Sequence, residues 1–235
     1  GDRWIRGALV LLVIAGVCAF VGDLAAGLLT AGAGLILKAL VIAGFVDQRA
    51  AFDAARAAVR ATEAADPYRA RRNAARRLAT ALTERIAAPA LFYALFGLAG
   101  LFAFGAALAF AERIGADDPF GGAAHRLLGW IGLFAGLPAA VGVAIAAAFS
   151  PGARPGRALA LAWSSAPAPR DARSGWTLAA LAGALDLSFE RRGDWIGDGR
   201  ARLEAGDLRR VLYLFAVACL CHLVFWAALG FMAAG

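Results

Sequence analysis

The densest chemistry in the chain lies in Trp195-Ile196-Gly197-Asp198-Gly199-Arg200. Two glycines flanking an aspartate let the backbone turn sharply and bring N–H groups close to a ligand, while Asp198 offers a carboxylate to a cation such as Mg²⁺ or to a hydroxyl. The same residues equally fit an ordinary Gly-Asp-Gly turn. A second candidate is Lys38, the one lysine of the chain, which sits well inside an apolar run. A cation centred in a membrane costs about 2.5–3.5 kcal/mol, so Lys38 must snorkel to the surface, find a partner such as Asp23, or meet a ligand. A third is the row Arg69, Arg72 and Arg76, followed by Arg77. These guanidiniums can hold a phosphate, or form a solvated basic face near lipid headgroups.

Other reactive side chains carry less. His125 falls at the outer edge of one apolar run and His222 roughly 16 Å into another at 1.5 Å per residue, so the two cannot ligate one haem iron. Cys219 and His222 share a helical face, but two ligands without further partners are no zinc site, and a packed histidine bonded across helices is expected. Cys18, Cys219 and Cys221 all lie in apolar runs and form no disulfide framework.

The elements that must position these groups are membrane helices. Hydrophobic residues make up 61% of the sequence, more than a soluble core can hide, and apolar runs of about 18 or more residues mark spans. The reading is an all-α integral membrane protein, a single membrane domain over 1–235, with about five transmembrane helices at Ala8–Gly22, Ala25–Phe45, Ala87–Phe110, Leu127–Phe149 and Val211–Ala233. Two cytoplasmic segments join them, a helical one over 46–86 and a polar one over 150–210. Within the first, Phe52, Ala55, Val59 and Thr62 form one weakly apolar stripe, with Asp53–Arg56 and Arg60–Glu63 pairs opposite, and Asp66-Pro67 separates it from a second helix leading into the third span. Leu178–Leu185 is apolar but too short to cross, and fits a re-entrant piece or an amphipathic helix at the cytoplasmic surface.

Arginine placement gives an expected orientation. The segments 46–86 and 150–210 are arginine-rich, whereas the loop with Glu112, Asp117 and Asp118 is slightly acidic. The positive-inside bias then puts both large segments in the cytoplasm of an inner-membrane protein, with the N-terminus cytoplasmic and the C-terminus opposite. The net charge of +7 belongs to this topology rather than to nucleic acid, because the arginines flank spans and alternate with acids. The chain opens on Gly1 just before the first apolar run, without an initiator Met or a cleavage-site pattern, so residues are expected to precede it.

Gly175-Trp176-Thr177-Leu178-Ala179-Ala180-Leu181-Ala182-Gly183-Ala184-Leu185, then Trp195-Ile196-Gly197-Asp198-Gly199, then Asp207-Leu208-Arg209-Arg210 together resemble the C-terminal part of the adenosylcobinamide-phosphate synthase family of cobalamin biosynthesis. The resemblance implies a membrane enzyme that joins an aminopropanol phosphate to adenosylcobyric acid through an amide bond, with ATP and Mg²⁺. Carried onto this chain, it implies catalytic roles for Asp198, Glu84 and Lys38, with Asp198 holding the metal. Trp176, Trp195, Gly197, Gly199, Arg200, Arg76 and Arg77 would then contact the corrinoid substrate. The bilayer, further copies of the chain or other membrane subunits are the implied partners.

The resemblance is uneven. Anchored on Pro89, Glu84 stands at an expected Asp, but Thr80 and Ala81 stand where Glu and Asn belong. Ala106–Gly115 keeps only its glycine, the region around Leu133–Pro138 lacks an expected Asp-Asp and Asn, Asp171–Gly175 replaces a His-x-Ser-Pro-Asn-Ala-Gly pattern, and Leu178 replaces a Glu. A His-Pro-Val-like motif usual near the family's N-terminus is missing. Holding Mg²⁺ on phosphates needs such oxygen ligands. Two readings therefore stand side by side, a reduced but working synthase and a catalytically silent relative that serves as a structural or binding subunit. A transporter is a third reading, supported by the short Gly-rich segment alone.

Overall fold

The computed structural model describes residues 2–29, 33–45, 49–60, 66–115, 118–191 and 193–234. The chain is an all-α membrane protein with one small hairpin, and its contacts gather into two compact units, 1–47 with 88–131 and 48–87 with 132–235. Among the described residues four helices are long and apolar enough to cross a bilayer: Asp2–Leu28, Pro67–Ile114, Gly122–Ala148 and Ala205–Ala228.

In the first unit, α1 (Asp2–Leu28) packs along α5 (Ala88–Ile114). The close approaches fix their sense. A β-carbon on Gly7 would fall 1.9 Å from the Phe120 carbonyl oxygen, and one on Gly22 would fall 2.6 Å from that of Leu98. The two helices are therefore antiparallel, and the start of α1 meets the turn that follows α5. Arg3 lies 3.7 Å from Asp118 there, and Arg126 stacks over Trp4 at 5.6 Å. The expected alternation put the N-terminus and this turn on opposite faces of the membrane, whereas the packing puts them at the same end. Asp117 lies outside the described residues.

The cause is the expected second span. Ala25–Leu28 complete α1, the helix ends at Leu29, and α2 (Ala33–Gly44) has only 12 residues. At 1.5 Å per residue α2 is about 18 Å long, short of the roughly 30 Å of hydrocarbon. One apolar run thus holds two helices, and the number of long spans is four rather than about five. A second interruption lies in α5, where Gly97 takes φ 62° and ψ −150°. That left-handed backbone suits glycine. The rings of Phe96 and Phe104 close on Phe92 from either side of the break, at 5.9 and 5.2 Å.

The second unit carries the polar segments. Helix α3 (Arg49–Arg60) packs its apolar face on α4 (Pro67–Leu82) and on α9 (Ala205–Ala234). Asp53 meets Arg49 at 4.0 Å rather than the expected Arg56, which lies over the Phe52 ring at 5.5 Å. Thr62 and Glu63, expected to extend this helix, lie outside the described residues. Asp66 caps α4 by accepting from the Arg69 N–H at 2.9 Å, and Pro67 fills the first helical position where no donor is needed. A π-helical turn, Thr83–Ala87, joins α4 to α5.

Helix α6 (Gly122–Ala148) carries Pro138 and passes from the first unit into the second at residue 132. There Gly132 abuts the Ala172 backbone and Gly136 abuts Trp176, so this small-residue face is used within the chain. His222 occupies the notch left by Gly142, and its Nδ1 lies 2.9 Å from the Ala218 carbonyl. After α7 (Pro155–Ser164), helix α8 (Gly175–Leu185) is buried at every residue but the half-buried Trp176. It packs against α7, α4 and α9, neither crossing the membrane nor lying amphipathically on its surface. Gly183 lets it approach α7, since a β-carbon there would meet the Arg157 carbonyl at 2.4 Å.

Candidate functional site

The polar residues of the second unit converge where α8 ends. Asp186 closes that helix in the left-handed conformation, φ 57°. Strands β1 (Phe189–Arg191) and β2 (Asp194–Ile196) then form a hairpin in which Glu190 faces Trp195. The chain returns through Gly197-Asp198-Gly199 to lie against the helix end. The Arg200 N–H donates to the Asp186 carbonyl at 3.1 Å, the Ser188 N–H donates to the Arg200 carbonyl at 3.0 Å, and the Ser188 hydroxyl donates to the Gly197 carbonyl at 2.9 Å.

This geometry explains both glycines. Gly197 has φ +87°, and a β-carbon on it would fall 2.5 Å from the Leu187 carbonyl. On Gly199 a β-carbon would fall 2.1 Å from the Asp186 carbonyl. The glycines serve backbone contact within the protein, and the Asp198 side chain between them is exposed with no partner among the described residues.

The arginines of α4 reach the same hairpin. Buried Arg71 donates to the Leu203 carbonyl at 3.4 Å and Arg72 to that of Ala201 at 3.2 Å, while Arg76 donates to that of Glu190. Arg72 also lies over Trp195 at 5.9 Å, and Arg71 and Arg202 both lie over Tyr68 at 5.9 Å. Arg77 is exposed. Arg200 pairs with Asp207 at 2.7 Å, and the other Asp207 oxygen accepts from the Glu204 N–H at 3.0 Å, which caps the start of α9. Arg72 and Arg76, two of the row expected to meet an anion, thus brace main-chain carbonyls.

Glu84 lies in the π-helical turn and is 6% exposed. The Arg173 guanidinium grips its carboxylate with two N–H groups, one of them Nη2 to Oε2 at 2.9 Å. Beside it the Thr83 and Thr177 hydroxyls share a hydrogen bond of 2.8 Å. Trp176 packs on Gly136 and near Trp163, with centroids 6.2 Å apart and its indole N–H buried without a partner among the described residues. Lys38 belongs to the first unit, half-buried, with Nζ 5.9 Å from the centre of the Tyr93 ring.

Sequence reasoning missed Arg173, the partner that decides what Glu84 can do. The two are separated by 89 positions, and no helical or strand period links them. A signal was present only in composition, an arginine in the short Asp171–Gly175 segment where the family pattern has His, Ser and Asn.

The oxygen ligands needed by Mg²⁺ and ATP are not grouped here. Both Glu84 oxygens are engaged by Arg173, Asp198 stands alone, and no three histidine, cysteine, aspartate or glutamate side chains among the described residues are placed to share an ion. These residues do not fit a Mg²⁺–nucleotide site. No protein-family model, curated protein or solved structure matches the chain.

Proposed function

We propose that the chain is a catalytically silent relative of the adenosylcobinamide-phosphate synthases, acting as a structural or binding subunit of a membrane complex. One observation carries this reading: the buried Glu84 carboxylate is held on both oxygens by Arg173. A bidentate pair satisfies the carboxylate as an acceptor, and displacing the guanidinium to admit a cation would leave a buried charge unpaired. The α4 arginines fit a rigid scaffold too, since Arg76 is bonded to a hairpin carbonyl and Arg71 and Arg72 to those of Leu203 and Ala201 beyond it.

The test is turnover. Purified protein in nanodiscs with adenosylcobyric acid, aminopropanol phosphate, ATP and Mg²⁺ is expected to give no amide product by mass spectrometry, beside an active synthase run in parallel. Product that is lost with Asp198→Ala and with Lys38→Ala would overturn the proposal and restore a working site.

Charge and the antiparallel packing of α1 on α5 support one orientation. The arginine-rich segments 49–86 and 150–210 face the cytoplasm. Both termini then emerge on the opposite side, consistent with an even number of crossings. In intact cells a membrane-impermeant maleimide is expected to label Arg3→Cys from outside and to leave Arg77→Cys unlabelled until the membrane is opened. The reverse pattern would refute this orientation.

A further inference from the structure

We infer that the cleft between α3 and α9 is a binding site for one anionic phospholipid. The cleft has a volume of about 320 Å³ and is lined by Arg49 and Phe52 from α3 and by Phe215, Ala216 and Cys219 from α9. That volume falls within the range of small-ligand sites, roughly 300–1,000 Å³. The Phe215–Cys219 wall belongs to a helix apolar enough to cross the bilayer. Two phenylalanine rings, an alanine and a thiol make an apolar slot suited to an acyl chain.

The charge lies at one edge. The Arg49 side chain is 92% exposed, and its contact with Asp53 is a loose one, Nε at 4.0 Å. Arg56 and Arg60 are exposed on the same helix, so Arg49, Arg56 and Arg60 oppose Asp53 alone among the charged residues of α3. An amphipathic helix with a guanidinium row above an apolar face, laid against a membrane span, matches a lipid whose phosphate meets arginine while its chain fills the slot. A zwitterionic lipid offers the same chain without net charge, and a free phosphate offers the charge without a chain. The cleft has walls for both parts.

Native mass spectrometry of the full chain, released from nanodiscs of equal phosphatidylglycerol and phosphatidylcholine, reads the occupant. Retained phosphatidylglycerol is expected to exceed phosphatidylcholine by roughly fivefold, the factor that about 1 kcal/mol per surface arginine gives. Arg49→Gln is expected to bring the ratio near one, and Cys219→Trp to remove bound lipid of both kinds by filling the slot. Arg113→Gln, exposed on α5 and no part of the cleft's lining, should leave the ratio unchanged. Equal retention in the wild type would overturn the proposal. So would a preference that survives Arg49→Gln and Cys219→Trp, which would make it a diffuse surface effect. Displacement of the lipid by millimolar inorganic phosphate would mean that the arginine alone binds, and would also refute a lipid site.

Discussion

Replacing Gly199 with alanine is expected to destabilise the second unit by about 4 kcal/mol or more, at the severe end of single substitutions. The new β-carbon would sit 2.1 Å from both the carbonyl carbon and the oxygen of Asp186, and neither can yield. Asp186 is held as the left-handed end of a buried helix, while the return strand is held by bonds on both sides of Arg200. Relief requires moving the hairpin, which breaks the Arg200–Asp186 and Ser188–Arg200 bonds and loosens the carbonyls that Arg71, Arg72 and Arg76 grip. Asp198→Ala, one residue away, is expected to change stability by no more than about 0.5 kcal/mol, because the side chain is exposed. Thermal melting in detergent distinguishes the two. A Gly199→Ala protein that melts with the wild type would show that the Gly-Asp-Gly turn is not pressed against Asp186.

Arg173→Ala is expected to cost about 3–5 kcal/mol, the range for removing one partner of a buried ion pair. Glu84, 6% exposed in the intact pair, would be left with an unpaired charge next to Thr83, whose hydroxyl ties the π-helical turn to Thr177 of α8. The double variant Glu84→Gln/Arg173→Met is expected to recover most of the loss, because it removes both charges and keeps similar volume. The melting midpoints of the single and double variants give the coupling between the two sites. If Arg173→Ala alone melts like the wild type, the pair is not the brace inferred from its geometry.

The apolar spans were legible because hydropathy summed over some twenty residues is a strong signal and a bilayer leaves helices few alternatives. The breaks inside those spans were not. At Leu29 and again at Gly97, both flanks are apolar, so a window average passes over the interruption. Missing the first break added a crossing to the expected count, about five where four long spans lie among the described residues. The turn at Gly197–Gly199 could be read as a turn, but nothing local to it announces that its glycines press against Asp186. The Glu84–Arg173 pair was invisible for a related reason. Ion pairs between distant segments leave no periodicity, and the same glutamate reads as a free carboxylate until its neighbour is found.

The burial of α8 bears on how the chain is made. Eleven apolar residues are too few for the insertion machinery to hold in lipid as a span, yet too greasy to rest exposed in water. α4 and α7, which cover part of this helix, are synthesised before it, but α9 is synthesised after it. During biogenesis the segment therefore waits, half-covered, for α9 to arrive. Covering the remaining face of α8 thus falls to α9, a helix that follows it by some twenty residues.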